Sequence, residues 1–151
     1  MRYLAYSTGQ TRKIGEVFAK NIEKTVLPEN KALIIGLKGA LGGGKTTFLQ
    51  GFAKGLKIKE RVLSPTFVIM RKFKIQNSKF KYFYHIDCYR ILKPKEILEL
   101  GLKKIISDPQ NIIAIEWADR VKKILPRDTL MLEFDFINKN TRKITVKPTN
   151  K

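Results

Sequence analysis

The segment from Gly39 to Thr46 has the residue types and the spacing of a loop that binds phosphate. It reads GALGGGKT and matches the pattern GxxxxGK followed by Ser or Thr at every fixed position. Glycine lets backbone N–H groups approach a phosphate closely, and a following helix adds the positive end of its dipole. We expect Lys45 to reach the β and γ phosphates of ATP, the Thr46 hydroxyl to ligate Mg²⁺, and Thr47 to contact the α phosphate. The residues of this segment predicted to bind the nucleotide are Gly39, Leu41, Gly42, Gly43, Gly44, Lys45, Thr46 and Thr47.

Two carboxylates come at the ends of short apolar runs and are the candidates for holding the metal. Glu116 follows the run IIAI, which is typical of a buried strand, and Asp87 follows YHI. Phosphate-loop enzymes hold their metal with a carboxylate at the end of a neighbouring strand, usually through water. By strand character Glu116 is the preferred metal residue, while Asp87 either ligates the metal or orients the attacking water. The predicted catalytic residues are therefore Lys45, Asp87 and Glu116, and the predicted metal residues are Thr46, Glu116 and Asp87.

Three further features could carry chemistry but have simpler explanations. The threonine of the SPT segment at 64–66 could sense the γ phosphate, as switch loops do, or could belong to a turn fixed by the proline. His85 and Cys88, the only histidine and cysteine, are too few for a zinc site and are expected to be structural. Arg90 lies three residues after Asp87 and could stabilise charge that develops on the phosphate, but an ion pair with Asp87 is the preferred expectation.

Hydrophobic periodicity assigns these residues to the ends of helices and strands. Helices are predicted over 11–26 and 45–56, after Pro94, and over 121–125. Strands are predicted over 32–37, 67–75, 80–86, 111–116, 130–137 and 141–146. Strands and helices alternate through the middle of the chain, and strands pair at the edge. The pattern predicts an α/β chain with a mixed, mainly parallel sheet and antiparallel edge strands.

The composition is that of one soluble domain. A length of 151 residues fits a single domain over 1–151, and 43% hydrophobic residues exclude a disordered chain. No apolar run approaches the ~20 residues of a membrane span, and the N-terminus lacks the apolar region of a signal peptide. Together with the single cysteine, these features predict a cytoplasmic protein without a membrane partner.

A net charge of +18, from 31 Lys and Arg against 13 Asp and Glu, is the unusual feature of the composition. Such a charge attracts polyanions such as RNA. The same excess follows from A/T-rich codons, because Lys, Ile, Asn and Phe are all abundant and the basic residues are dispersed along the chain. Codon drift is the preferred explanation, and an RNA-facing surface stays open.

Five segments, taken in order, resemble one known family. They are LKGALGGGKTTF, SPTF, YHIDCYR, ELGL and AIEWADR, and the similarity extends over about residues 11–142. The chain resembles the TsaE (YjeE) family, bacterial ATPases required for threonylcarbamoyladenosine formation beside the anticodon of certain tRNAs. The resemblance implies the three-layer α/β fold of phosphate-loop (P-loop) NTPases and Mg-dependent ATP hydrolysis inside a complex with TsaB and TsaD. This chain would reset or remodel that complex, while TsaD carries out the modification. The contact with tRNA would then be direct or indirect.

The resemblance also implies two further nucleotide-binding residues, and two positions of the phosphate loop differ from the usual family sequence. Thr11 is expected on the adenine side of the nucleotide, and Trp117 either near the nucleotide or as a core anchor. Ala40 stands where the family usually has an acidic residue, and Gly43 where it has alanine. We expect the loss of a carboxylate at Ala40 to affect the rate of ATP hydrolysis, whereas phosphate binding should survive both changes.

Two other classes of function fit the sequence less well. A small-molecule kinase with the same phosphate loop would need an acceptor pocket and an arginine-rich lid, and no such cluster follows the loop. A plain RNA-binding protein would need basic and aromatic residues gathered on one face, whereas the basic residues here are dispersed. No residue stands out as an arginine finger, so we expect a weak ATPase that a partner stimulates.

Overall fold

The computed structural model describes residues 1–22, 24, 29–40, 42–63, 69–76 and 78–147. Its strands are β1 (Arg2–Ala5), β2 (Leu33–Gly39), β3 (Met70–Lys74), β4 (Tyr82–Asp87), β5 (Asn111–Glu116), β6 (Leu130–Phe136) and β7 (Arg142–Lys147). Its helices are α1 (Thr8–Ile22), α2 (Lys45–Gly55), α3 (Lys95–Leu98), α4 (Leu102–Ile106) and a 3₁₀ segment over Ala118–Ile124.

The strands form one sheet in the order β1-β7-β6-β2-β5-β4-β3. The central strands β6, β2, β5 and β4 run parallel to one another. At one edge β3 pairs antiparallel with β4, and at the other β7 pairs antiparallel with β6 and β1 with β7. The central strands β2 and β5 are strongly apolar because both of their faces are covered. The predicted α/β class, with a mixed sheet and antiparallel edge strands, is confirmed.

Helices cover both faces of the sheet, and each face has its own apolar core. On one face Phe48 of α2 contacts Phe18 of α1 and Phe134 of β6, with ring centroids 5.7 and 5.5 Å away. On the other face Ile97 of α3 and Leu102 of α4 pack in a second buried cluster with residues of β4, β5 and the 3₁₀ segment. These two cores make the three layers that the sequence predicts.

The structure differs from the predicted elements in three places. No pattern predicts β1, because a four-residue strand with one buried position has little periodicity. The helix expected after Pro94 is divided into α3 and α4, which are separated by Gly101 with a φ of 88°. The helix expected over 121–125 is the 3₁₀ segment, in which Val121 has a non-helical φ of −123°. The predicted helix and strand at 11–26 and 67–75 each extend in part outside the described residues.

None of the described helices is long and apolar enough to cross a membrane, and α1, the longest of them, has 15 residues.

Candidate functional site

A cavity of about 780 Å³ opens at the carboxyl ends of the parallel strands β4 and β5. Its walls come from the loop and first helical residues at 42–47, from Asp87 and Glu116, and from the hairpin between β6 and β7. Asp87 and Glu116 are partners in the register of β4 and β5, so these two strands end side by side. Glu116 is also the register partner of Leu37 on β2, the strand that leads into the phosphate loop. The topology therefore brings the loop and both predicted carboxylates to one cavity.

Two glycines of the phosphate loop adopt a backbone conformation that other residue types rarely adopt. Gly42 and Gly44 have φ angles of 77° and 97°, in the left-handed region that glycine adopts without strain. The N–H of Gly43 donates to the carbonyl of Ala40 at 3.1 Å, which closes the turn. Gly44 immediately precedes α2, an eleven-residue helix that begins at Lys45. Its free N–H groups and the positive end of its dipole therefore border the cavity, as an anion site requires.

The Lys45 ammonium is held among oxygen atoms of its own loop. Its Nζ donates to the carbonyls of Gly39 at 2.6 Å and Ala40 at 3.0 Å. It also lies 4.3 Å from the centroid of the Trp117 ring. Burial lowers the pKa of the Lys45 ammonium, and the carboxylate of Glu116 opposes that shift. A cation that is only 5% exposed and borders the phosphate loop is suited to pairing with phosphate oxygens.

A chain of three side chains links the helix start to the two central strands of the site. The Thr46 hydroxyl lies 3.0 Å from Oε1 and 3.2 Å from Oε2 of Glu116. Nε2 of His85, on β4, lies 2.6 Å from Oε2 of Glu116. Glu116 is 3% exposed and His85 is fully buried. Glu116 is therefore held from two sides by side chains that come from different elements.

Asp87 has a more open environment than Glu116. Its Oδ1 accepts a hydrogen bond from the backbone N–H of Tyr89 at 2.9 Å, and it lines the cavity at a half-buried position. Burial raises the pKa of the Asp87 carboxyl, and the charge of Glu116 adds to the shift. Arg90 also lines the cavity, but within the described part of the chain no ion pair joins it to Asp87. The expected pair between Arg90 and Asp87 is therefore wrong, and the hydrogen bond that Asp87 accepts comes instead from the turn that follows its own strand.

The two residues suggested by the family resemblance both line the cavity. Thr11 of α1 is buried, and a Cβ placed on Gly44 would lie 3.5 Å from its Cγ2. Trp117 follows Glu116 with a left-handed φ of 60°, and its ring lies 5.1 Å from that of Tyr89. Both residues therefore border the cavity, and their contact with a nucleotide stays a prediction.

The remaining predicted residues fall into three groups. Gly42, Gly43, Gly44 and Thr47 line the cavity, whereas Gly39 lies behind it and contributes the carbonyl that Lys45 contacts. Leu41 and the SPT segment at 64–66 lie outside the described residues. Cys88 is buried, and burial raises the pKa of its thiol to about 12, so the structural role predicted for it fits.

Sequence reasoning missed the wall of the cavity formed by the C-terminal hairpin. Nε of Arg142 donates to the carbonyl of Gly42 at 2.8 Å, and Nη1 of Arg142 donates to the carbonyl of Asn138 at 2.7 Å. Lys139 and Asn140 line the cavity beside it. Gly42 and Arg142 are 100 positions apart, so no local pattern joins them. Only the pairing of β6 with β7 beside β2 reveals that Arg142 supports the phosphate loop.

The oxygen groups of the cavity suit Mg²⁺. A threonine hydroxyl has one proton and two lone pairs, so Thr46 can donate to Glu116 and still offer a lone pair to a metal. Mg²⁺ prefers oxygen ligands and is usually bound by one or two carboxylates together with substrate phosphates and water. Among the described residues, no group of three or more His, Cys, Asp or Glu could hold a metal without such help. The residues present thus fit a metal that enters with a phosphate ligand.

Comparison with known proteins gives one consistent family. The sequence model of the family described as "Threonylcarbamoyl adenosine biosynthesis protein TsaE" matches residues 5–144. The chain is 30% identical to the Treponema pallidum protein named "tRNA threonylcarbamoyladenosine biosynthesis protein TsaE" over 146 residues, which cover 97% of this chain and 99% of that protein. It is 37% identical to the Bacillus subtilis protein of the same name over 112 residues, which cover 74% of this chain and 67% of that one.

A solved structure has the same fold. The crystal structure of Bacillus subtilis YdiB superimposes with a TM-score of 0.76 at 26% sequence identity. The match covers 99% of this chain and 86% of that one. The sequence and structure comparisons therefore both extend over nearly the whole chain, including the loop and both strand ends of the site.

Proposed function

The chain belongs to the TsaE family of tRNA threonylcarbamoyladenosine biosynthesis, and from that premise we propose that it binds ATP with Mg²⁺ and hydrolyses it. The observation that carries the proposal is the contact of Thr46, at the start of α2, with Glu116, at the end of β5. This contact joins the phosphate loop to a strand-end carboxylate, which is the arrangement that metal-dependent phosphoryl transfer uses.

Each residue of the cavity has a distinct proposed role. Backbone N–H groups of the loop and of the start of α2 bind the phosphates, and Lys45 moves from its loop carbonyls to the β and γ phosphates. Thr46 ligates Mg²⁺ directly, and Glu116 holds it through Thr46 and water. Mg²⁺, when bound, supplies charge that neutralises the β and γ phosphates.

Asp87, Trp117 and Thr11 complete the proposed site. Asp87 lines the cavity, has no side-chain hydrogen-bond partner among the described residues, and orients the attacking water or joins the metal shell. Trp117 lies over Lys45, and Thr11 borders Gly44, so both lie within reach of a nucleotide held by the loop. The proposed catalytic set is Lys45, Asp87 and Glu116, the same residues that the sequence analysis proposes.

The binding half of the proposal is tested with Lys45→Ala against the matched control Lys38→Ala. Lys38 is an exposed lysine on β2 that does not line the cavity. Loss of a charge-assisted contact to phosphate costs about 1.5–3 kcal/mol, which is roughly a 10- to 100-fold loss of affinity. Calorimetry with ATP and ADP should give that loss for Lys45→Ala and none for Lys38→Ala. Equal affinities for the two variants and the wild type would refute the proposed site.

The proposed partners are TsaB and TsaD, which the chain would reset between turnovers by hydrolysing ATP. The proposed location is the cytoplasm, where the tRNA is modified. In a reconstituted reaction with TsaB, TsaD and tRNA, wild-type chain should raise the yield of modified tRNA over many turnovers. Glu116→Gln should bind to the complex without that gain. A gain as large with Glu116→Gln as with wild type would mean that hydrolysis is not the contribution of this chain.

The β3–β4 hairpin bears on whether the chain touches tRNA directly. Arg71, Lys72 and Lys74 of β3 are exposed, and in the described ranges none forms an ion pair with a carboxylate. Direct binding through such cations falls steeply with added salt. A tRNA-binding assay between 50 and 200 mM salt therefore separates the cases, since a flat response would support codon drift and indirect action.

A further inference from the structure

His85 is a fully buried histidine whose ring faces the metal-site carboxylate. Its Nε2 lies 2.6 Å from Oε2 of Glu116, while its Nδ1 is buried with no hydrogen-bond partner among the described residues. His85 pairs with Ala114 in the register of β4 and β5, two residues before the pair formed by Asp87 and Glu116. The imidazole is therefore fixed by the sheet directly beneath the site.

The chemistry of the contact determines which ring nitrogen carries the proton. A carboxylate can only accept hydrogen bonds, so a contact with ionised Glu116 requires the proton to be on Nε2. Nδ1 has no hydrogen-bond partner among the described residues, so the contact of His85 with Glu116 is made through Nε2 as the donor.

We infer that His85 is a positioning residue for Glu116: its Nε2–H donates to Oε2 and holds the carboxylate against the Thr46 hydroxyl. The inference deepens the proposed function, on which it rests for the role of Glu116. The Thr46 hydroxyl then keeps its proton and donates it in a hydrogen bond to Glu116, so that the lone pairs of Thr46 are available to the metal.

A purely structural role for His85 makes a different prediction. If the ring only fills the core, substitutions should act through stability, and their effect should follow the volume that is lost. If the ring positions Glu116, the decisive property is a donor at the place of Nε2. Groups that orient a metal site from behind typically contribute 10- to 100-fold to metal affinity or activity.

His85→Gln and His85→Asn form the matched pair that separates these roles. Both introduce an amide, but the glutamine NH₂ reaches the place of Nε2, whereas the asparagine NH₂ reaches only that of Nδ1. The first measurement is calorimetry of Mg²⁺ with the protein bound to ADP, and the second is the Mg²⁺ concentration that gives half-maximal ATP turnover. His85→Asn should lower the affinity for Mg²⁺ by roughly 10-fold or more, and His85→Gln should keep most of the wild-type affinity. Affinity for ADP without metal should stay within about twofold in both, since the phosphate loop is unchanged.

Equal losses in the two variants, or a Mg²⁺ affinity that neither variant changes, would overturn the inference. Thermal unfolding of both variants accompanies the measurement, so that a loss caused by unfolding is recognised.

A measurement on the unmodified protein tests the contact without any variant. Because His85 is the only histidine, ¹⁵N-histidine labelling gives a single imidazole spectrum. Nε2 should bear a proton, and Glu116→Gln should shift the Nε2–H signal because an amide oxygen accepts more weakly than a carboxylate. A proton on Nδ1 with a bare Nε2, or an unchanged signal in Glu116→Gln, would contradict the inference.

The two kinds of failure are distinguishable. A protein that binds no nucleotide at all would reject the proposed function, whereas the NMR result reports the contact between His85 and Glu116 independently of nucleotide.

Discussion

Glu116 and Asp87 end adjacent parallel strands at the same register, yet their surroundings differ sharply. Glu116 is 3% exposed and is contacted by two side chains, Thr46 at 3.0 Å and His85 at 2.6 Å. Asp87 is half-buried, and its Oδ1 accepts a hydrogen bond from the backbone N–H of Tyr89. One carboxylate is thus fixed by side chains from two other elements, whereas the other, within the described part of the chain, is held by the turn that follows it.

This difference predicts separate roles for the two acids in the proposed reaction. A carboxylate held in place before the metal arrives needs little reorganisation to bind it, which favours Glu116 for the metal shell. A carboxylate with free lone pairs on the cavity side can accept a proton or a hydrogen bond from water, which favours Asp87 for water orientation. Of the two roles left open by the sequence for Asp87, the geometry favours the second.

The largest expected effect comes from Glu116→Gln, which keeps the shape of the side chain and removes its charge. Because the metal and Thr46 both depend on that charge, turnover at saturating ATP should fall by roughly 100-fold or more. Phosphate release measures the turnover, and calorimetry should find ADP affinity within a few-fold of wild type. Glu133→Gln is the control, since Glu133 lies on β6 and pairs with Lys147 outside the cavity. Near-normal turnover in Glu116→Gln would remove the fixed carboxylate from the mechanism.

A smaller effect is expected from Asp87→Asn. Asparagine can still accept the Tyr89 N–H, so the turn should persist while the negative charge that orients water is lost. Turnover should fall by about 10-fold, which is less than the roughly 100-fold or more of a complete acid–base loss because the asparagine amide still hydrogen-bonds water, and the Mg²⁺ midpoint should change by less than about threefold. A shift of the Mg²⁺ midpoint as large as that in Glu116→Gln would make both acids metal residues and abolish the distinction.

Local chemistry explains which parts of the site the sequence predicts. The phosphate loop is predictable because its glycines, Lys45 and Thr46 act through their spacing in one segment. The two acids are predictable because an apolar strand followed by a carboxylate is also a local pattern, and the parallel sheet brings such ends together.

The unpredicted parts depend on pairings that are distant in the chain. His85 meets Glu116 across 31 positions through the register of β4 and β5, and one sequence does not reveal a register. Arg142 reaches Gly42 across 100 positions, because the C-terminal hairpin folds beside β2. β1 has four residues and forms only by pairing with β7 at the opposite end of the chain.

The smallest expected effect concerns stability, and it tests the environment of Asp87 without any ligand. Burial raises the pKa of Asp87 in the folded protein above its unfolded value, so ionisation of this group opposes folding as pH rises through the folded pKa. Asp87→Asn should therefore be more stable than wild type at pH 7 in EDTA, by at most about 1 kcal/mol because solvent screens a half-buried group. The gain should vanish as pH falls below the unfolded pKa of about 3.9, where both states of the wild type are protonated.

Urea unfolding at several pH values measures this gain in stability. Asp108→Asn is the control, because Oδ1 of Asp108 also accepts a hydrogen bond from a backbone N–H, that of Gln110 at 2.9 Å, but lies outside the cavity. A gain that does not change with pH, or one equally large in Asp108→Asn, would mean that desolvation of the charge does not set the environment of Asp87.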